Sequence, residues 1–303
     1  WSGSTSVAAL ATGYKCALNF KTTTTSETND SLHISAYGND LESTTGTIND
    51  PYNTISYALS KLTNQTKLEI REGSYEFLET EISNPIEIKA YNNENVRFDG
   101  TRSINELKDS SSEGNWAPVN RTIVTDNNQQ NTVTQYRIKL RNDVEIWQLF
   151  YNRKEGINAR WPSAQWDNDE VYDLNNWGHG YYNYSDVEGT IKDYSNGEIV
   201  DISHNDVCLY NFVKQQKTID NNFTITDSLV NLNIGSFKSY TKEVTNMVLD
   251  DNNNLIRLSY DPVDLYKEKH HYYYLENKLE YLNSQNEWFF DNSSKYLYVW
   301  LPN

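Results

Sequence analysis

The chain has 303 residues, of which 37% are apolar, and its 23 Tyr, 8 Trp and 9 Phe supply much of the surface available for burial. Its 42 acidic and 26 basic side chains leave a formal net charge of −16, a field that repels phosphate backbones and excludes nucleic acid as a partner. No run of 18 or more apolar residues occurs, which excludes a membrane-inserted helix. A mean hydropathy of −0.77 with abundant Asn, Ser and Thr fits a mainly β chain of short strands joined by many turns.

Residues 1–32 are small and polar and predict an extended N-terminal segment, with Thr22-Thr23-Thr24-Thr25-Ser26 as a linker or edge. The chain begins at Trp1 without an initiator Met, as a cleaved signal peptide, a trimmed chain or a fragment each would leave it. Residues 33–115 form the next block. Asp50 and Pro51, as N-cap and first helical residue, predict a helix to residue 62 in which Ile55, Ala58, Leu59 and Leu62 make one apolar stripe. Lys67-Leu68-Glu69-Ile70, Pro85-Ile86-Glu87-Ile88-Lys89 and Asn95-Val96-Arg97-Phe98 then alternate apolar with polar residues. Leu68 and Ile86 stand eighteen positions apart, as do Ile70 and Ile88. That is about one coil of a parallel β-solenoid, so the helix is expected to plug short stacked parallel strands.

Residues 116–265 predict a β-rich antiparallel domain, and residues 266–303 a return to the solenoid. Strands are expected within Arg121–Val124, Tyr136–Leu140, Glu145–Tyr151, Ile199–Ile202, Leu229–Ile234 and Leu255–Leu258. Asp250-Asp251-Asn252-Asn253-Asn254 predicts a hairpin loop; it offers oxygen ligands for calcium but lacks the Gly and Glu spacing of an EF-hand, and no other cofactor is implied. Cys16 and Cys208 are the only cysteines and either pair or stay as separate thiols. C-x-x-C and H-x-x-x-H spacings are absent, and alternation sends His270 and His271 to opposite strand faces, so no metal site is assigned. N-x-[S/T] sequons at Asn29, Asn64, Asn120, Asn183, Asn222 and Asn292 are candidates for glycosylation, in a number that this Asn-, Ser- and Thr-rich composition generates by chance.

Two sets of residues carry a resemblance. Asp50 to Ala58, Leu68-Glu69-Ile70-Arg71-Glu72-Gly73-Ser74-Tyr75, Ile86 to Ala90 and Phe98-Asp99-Gly100 resemble the opening of right-handed parallel β-helix proteins of the pectate-lyase-like superfamily. Trp147 to Phe150, Asn158-Ala159-Arg160-Trp161-Pro162, Leu232 to Ser236, Tyr274 to Asn277, Glu287 to Asp291 and Tyr296 to Pro302 resemble the N-terminal part of glycosidase-related β-helix proteins, in which a β domain is inserted after the first coils. The resemblance implies an extracellular or cell-surface protein directed at polysaccharide, a hydrolase or lyase whose catalytic groups sit on later coils. The alternative is a non-catalytic adhesin or filament subunit that self-assembles through strand edges. Because related folds host many activities, the likeness speaks to architecture before chemistry.

Trp166 and Trp177 lie among Asp, Asn and Gly, on loops where binding residues concentrate, and are the candidate sugar platforms. His179, between two glycines, and Arg160 are further contact candidates, and Asp169, Glu170 and Asp173 are acids on the same loop-rich stretch. Trp147, Trp161 and Trp288 are expected in the core, with Glu145, Gln148 and Glu287 on opposite polar faces and Arg160 held by an internal carboxylate. The net charge favours a neutral glycan over an anionic one unless a patch such as Arg137, Lys139 and Arg141 prevails.

Overall fold

The computed structural model describes residues 7–10, 30–76, 82, 85–181, 197–201, 208–235, 238–263 and 272–302. The Thr22–Ser26 stretch, Cys16, His270, His271, Asn29 and Asn183 lie outside them. The chain divides into two compact units, Leu10–Arg102 on one side and Trp1–Ala9 with Ser103–Asn303 on the other.

The first unit is built on parallel strands. β1 (Ser31–Ile34), β2 (Lys67–Ile70) and β4 (Glu87–Ala90) pair in parallel, and so do β3 (Gly73–Glu76) and β5 (Val96–Asp99). Period-2 alternation sends Leu32, Ile34, Leu68 and Ile70 to one face, where they bury against Tyr52, Tyr75 and the Ile55 and Ala58 of helix α1 (Ile55–Ser60). The opposite face carries His33, Glu69 and Lys89 in register, with Lys89 Nζ 2.8 Å from a Glu69 oxygen.

Two expectations need correction here. The helix starts at Ile55 rather than Pro51, because Thr54 is its N-cap: the Thr54 hydroxyl accepts from Tyr57 N at 3.2 Å, while Asp50 turns back to accept from Thr45 N at 2.8 Å. The strand register also differs, since Leu68 aligns with Ile88 and Ile70 with Ala90, two positions later than the eighteen-residue spacing implied. A shift of two keeps each apolar side chain on its face, so patterning alone does not detect it. The described parallel pairing extends over two or three strands, short of a wound β-helix, and the largest sheet among the described residues is antiparallel.

That sheet, in the second unit, is a closed barrel. Its strands are β12 (Gly178–Tyr181), β13 (Glu198–Asp201), β14 (Leu229–Gly235), β15 (Lys238–Asp250), β16 (Leu255–Tyr260) and β17 (Tyr272–Glu276). They pair antiparallel in the cyclic order β14-β15-β16-β13-β12-β17 and back to β14. Closure leaves the barrel without an unpaired edge. Helix α3 (Leu209–Ile219) was not anticipated, although Leu209, Phe212, Val213 and Gln216 recur at helical spacing; its buried face joins Val230, Leu232, Ile256, Leu258 and Tyr273 in one core.

A five-stranded sheet accompanies the barrel in the order β10 (Ile157–Asn158), β18 (Glu287–Asp291), β19 (Tyr296–Val299), β7 (Gln130–Lys139) and β6 (Ala117–Val124). Both of its faces are covered. Trp288, Phe290, Leu297 and Val299 pack with Ile104 and Leu107 of helix α2 (Ile104–Leu107), while Phe289 and Tyr298 belong to the barrel-side core. Residues 272–302 therefore supply antiparallel strands to the barrel and this sheet, apart from the parallel β10–β18 pair.

Candidate functional site

A two-residue strand, β11 (Arg160–Trp161), adds to the outer end of β17 with Arg160 opposite Glu276 and Trp161 opposite Leu275. Alternation then sorts the side chains. Trp161 is fully buried, with ring centroids 6.1 Å from Phe212 and 6.2 Å from Tyr273, whereas Arg160 turns the other way with Tyr274 and Glu276 of β17. On that side lies a cleft of about 340 Å³ lined by Arg160, Tyr274, Trp177, Trp147, Trp166 and Glu276 among others.

Arg160 is 5% exposed. Its guanidinium carbon sits 3.9 Å from the Tyr274 ring centre and 5.4 Å from that of Trp177, and these two rings meet edge to face at 5.0 Å. Nε donates to Pro162 O at 2.8 Å and Nη2 to Asn176 O at 2.9 Å. An internal carboxylate was expected to hold this arginine; its direct partners are two carbonyls and two rings, while Glu276, Glu287 and Asp126 act on it through space without an ion pair among the described residues. A carbonyl accepts without cancelling charge, so burial lowers the Arg160 pKa.

The acids of the cleft are each engaged by an amide. Asn231 Nδ2 donates to Glu276 Oε2 at 2.8 Å and Gln148 Nε2 to Glu155 Oε1 at 2.8 Å. Burial raises the Glu276 carboxyl and pushes the Tyr274 hydroxyl up to about 12. The rim is aromatic and wet: Trp147 is 51% exposed, Trp166 42% and Tyr172 72%, with Trp166 and Tyr172 edge to face at 6.2 Å. Trp147 was expected in the core; it precedes β8 (Gln148–Tyr151), which pairs antiparallel with β9 (Lys154–Glu155), so the strand alternation that buries Leu149 does not extend to it.

Of the candidate residues, Arg160, Trp166 and Trp177 converge on the cleft. Asp169, Glu170 and Asp173 are not among its lining residues and instead shape the loop that carries both tryptophans. Asp169 adopts φ 60°, Glu170 Oε2 accepts from Gln165 N at 3.0 Å, and Asp173 Oδ1 caps Asn175 N at 3.0 Å. His179 lies 3.1 Å from Leu174 O and meets the Tyr272 ring at 4.7 Å, also apart from the cleft. Tyr274 and Glu276 were missed, although the run Tyr272-Tyr273-Tyr274-Leu275-Glu276 alternates and Tyr273 and Leu275 are the buried partners.

A pair of acids, the half-buried Asp126 and the buried Glu287, is tied to Ser163, three residues after Arg160. Ser163 N donates to Asp126 Oδ2 at 2.9 Å, Asn283 Nδ2 to Val124 O at 2.9 Å, and Asn283 N and Ser284 N to Glu287 Oε2 at 3.1 and 3.0 Å. Ser163 Oγ also donates to Asn283 Oδ1, so three loops are tied together. Glu287, expected on a polar face, is 1% exposed because β18 is covered on both sides. Burial first, and the Asp126 carboxylate second, push its pKa well above the ordinary glutamate range; burial raises Asp126 too.

The other candidate sites are less complete. In the hairpin loop, Asp250 caps Asn252 N at 3.1 Å and Asp251 accepts from Tyr210 and Lys214, and among the described residues no group of three or more His, Cys, Asp or Glu is placed to hold a metal ion. The supposed basic patch is internally paired, Lys139 with Glu113 at 2.8 Å and Arg141 with Asp143 at 3.1 Å, while Arg137 stacks on Tyr296. Cys208 is half-buried, and desolvation raises its thiol; the pairing with Cys16 falls outside the described residues. Asn64, Asn120, Asn222 and Asn292 are exposed. No helix among the described residues is long and apolar enough to cross a membrane.

No protein-family model matches the chain, and no curated protein matches its sequence. Among solved structures it superposes on a glycoside hydrolase with a TM-score of 0.54 at 14% identity, over 90% of this chain and 43% of that one. The chain thus spans less than half the length of that enzyme and shares its fold over this part.

Proposed function

We propose that this chain binds carbohydrate in the cleft around Arg160, as part of an extracellular glycosidase-type β protein. The carrying observation is Arg160 itself, a buried cation that donates to two carbonyls, lies against two rings and makes no ion pair among the described residues, in a cleft rimmed by Trp147, Trp166 and Tyr172. Sugar rings offer apolar faces that stack on aromatic side chains and hydroxyl and ring oxygens that accept from a guanidinium. Such a mix of flat apolar walls and few converging polar groups is what small-molecule sites present. The fold shared with a glycoside hydrolase supports this reading, and in it the parallel ladders β1-β2-β4 and β3-β5 are the first coils of a right-handed β-helix.

The test is affinity electrophoresis and calorimetry on a panel of neutral and acidic polysaccharides, with Trp147→Ala alongside the unaltered chain. Retardation by at least one neutral glycan, weakened about tenfold by Trp147→Ala in line with the loss of one aromatic contact, is the expected result. Binding that Trp147→Ala and Trp166→Ala both leave intact overturns the assignment.

A further inference from the structure

We infer that the site takes an extended oligosaccharide of two or more rings rather than a single sugar, an inference that rests on the carbohydrate reading of the Arg160 cleft. A second cavity of about 280 Å³ adjoins that cleft, and the two share Glu155, Gly156, Trp166 and Trp288 as common lining. Gly156 adds no side chain of its own at this junction, and the exposed Trp166 faces both cavities.

Gly156 is held by its neighbours in that role. Trp288 Nε1 donates to Gly156 O at 3.2 Å, Gly156 N donates to Leu149 O at 2.8 Å, and a Cβ on Gly156 would lie 3.1 Å from Trp288 Cδ1. The Trp288 ring thus fills the space beside Gly156 and, 4% exposed, backs both lobes. Trp166 also lines both and is 42% exposed, so its ring can be shared by consecutive sugars.

The two lobes differ in chemistry. The first has Arg160, Tyr274 and Trp177, a cation between rings. The second is lined by Leu149, Tyr151 and Leu301, with Lys154 and Asp167 ion-paired at 3.2 Å on its exposed side. A linear chain meets this arrangement with one ring anchored polar-side at Arg160 and the next laid along apolar surface, its hydroxyls reaching Lys154 and Asp167. A monosaccharide fills one lobe and leaves the other to water.

Calorimetric titration with glucose, xylose, mannose and galactose and with their β-linked oligosaccharides of two to six rings tests this. For the series that binds, affinity is expected to rise about tenfold or more from one ring to two, as a second stacked ring adds its contact, and then to level off. Lys154→Ala is expected to flatten that rise, and Trp147→Ala to weaken every length. Equal affinity for one ring and for six, still lost in Trp147→Ala, overturns the two-lobed site while leaving the carbohydrate reading in place. Binding by none of the series, alongside a polysaccharide panel that also fails, overturns both.

Discussion

Replacing Glu287 by Gln should change how stability depends on pH. The folded protein holds this carboxyl at 1% exposure, with burial and the nearby Asp126 carboxylate both favouring its neutral form, so its folded pKa lies well above the ordinary value of 4.5. A group whose pKa is raised on folding contributes stability that is full below the unfolded pKa and is lost as pH rises through the folded one. Between those limits the unfolded chain has released the proton and the folded chain has not. Stability therefore falls by about 1.4 kcal/mol per pH unit for this one group, and Asp126, raised in the same direction, steepens the slope. Glutamine keeps the acceptor that serves Asn283 N and Ser284 N but cannot ionise. Its amide finds no partner where Glu287 Oε1 has none among the described residues, a fixed cost of about 1–3 kcal/mol. Urea denaturation at half-unit steps from pH 4.5 upward measures both effects. The unaltered chain should lose stability across that range, and Glu287→Gln should start lower and fall less steeply. An unaltered chain whose stability is flat or rises in that window would refute the reasoning, as would an unchanged slope in the variant.

Two further substitutions separate packing from local capping. Trp161→Ala empties a fully buried aromatic site between Phe212 and Tyr273 and should cost about 3–5 kcal/mol by chemical denaturation; a loss under 1 kcal/mol would mean the site collapses or was never close-packed. Thr54→Ala removes the hydroxyl that accepts from Tyr57 N and should destabilise α1 by about 1 kcal/mol, seen as faster hydrogen exchange at residues 55–60. Unchanged exchange there would reassign the cap to the Asp40 carboxylate, which accepts from Thr54 N at 3.1 Å.

The legible part of the molecule is the part set by local period. Leu68 with Ile70 and the alternation of Leu255 to Tyr260 each mark a strand and its buried face, because consecutive strand residues point to opposite sides whatever the partner. The loops bearing Trp166 and Trp177 were legible for a related reason: Asp, Asn and Gly favour turns through their own backbone chemistry. Choices among equivalent local signals were decided elsewhere. Asp50 and Thr54 are both good N-caps, and Asp50 is engaged with Thr45. Ile86 and Ile88 share a face, and only the path of the intervening chain selects Ile88 as the neighbour of Leu68.

Tertiary structure alone decided the cleft. Arg160 is brought beside Tyr274 and Glu276 by a pairing more than a hundred residues apart in sequence, and its carbonyl partners come from Pro162 and Asn176 in the loop beyond β11. Glu287 is polar in a strand that reads as half-exposed, yet the sheet has cores on both faces, so the same alternation that exposes Glu243 on β15 buries Glu287 with Phe289. Sequence period says which side chains share a face; only the closed barrel and the sheet beside it say whether that face meets water, a core or a ligand, because burial is a property of what lies opposite.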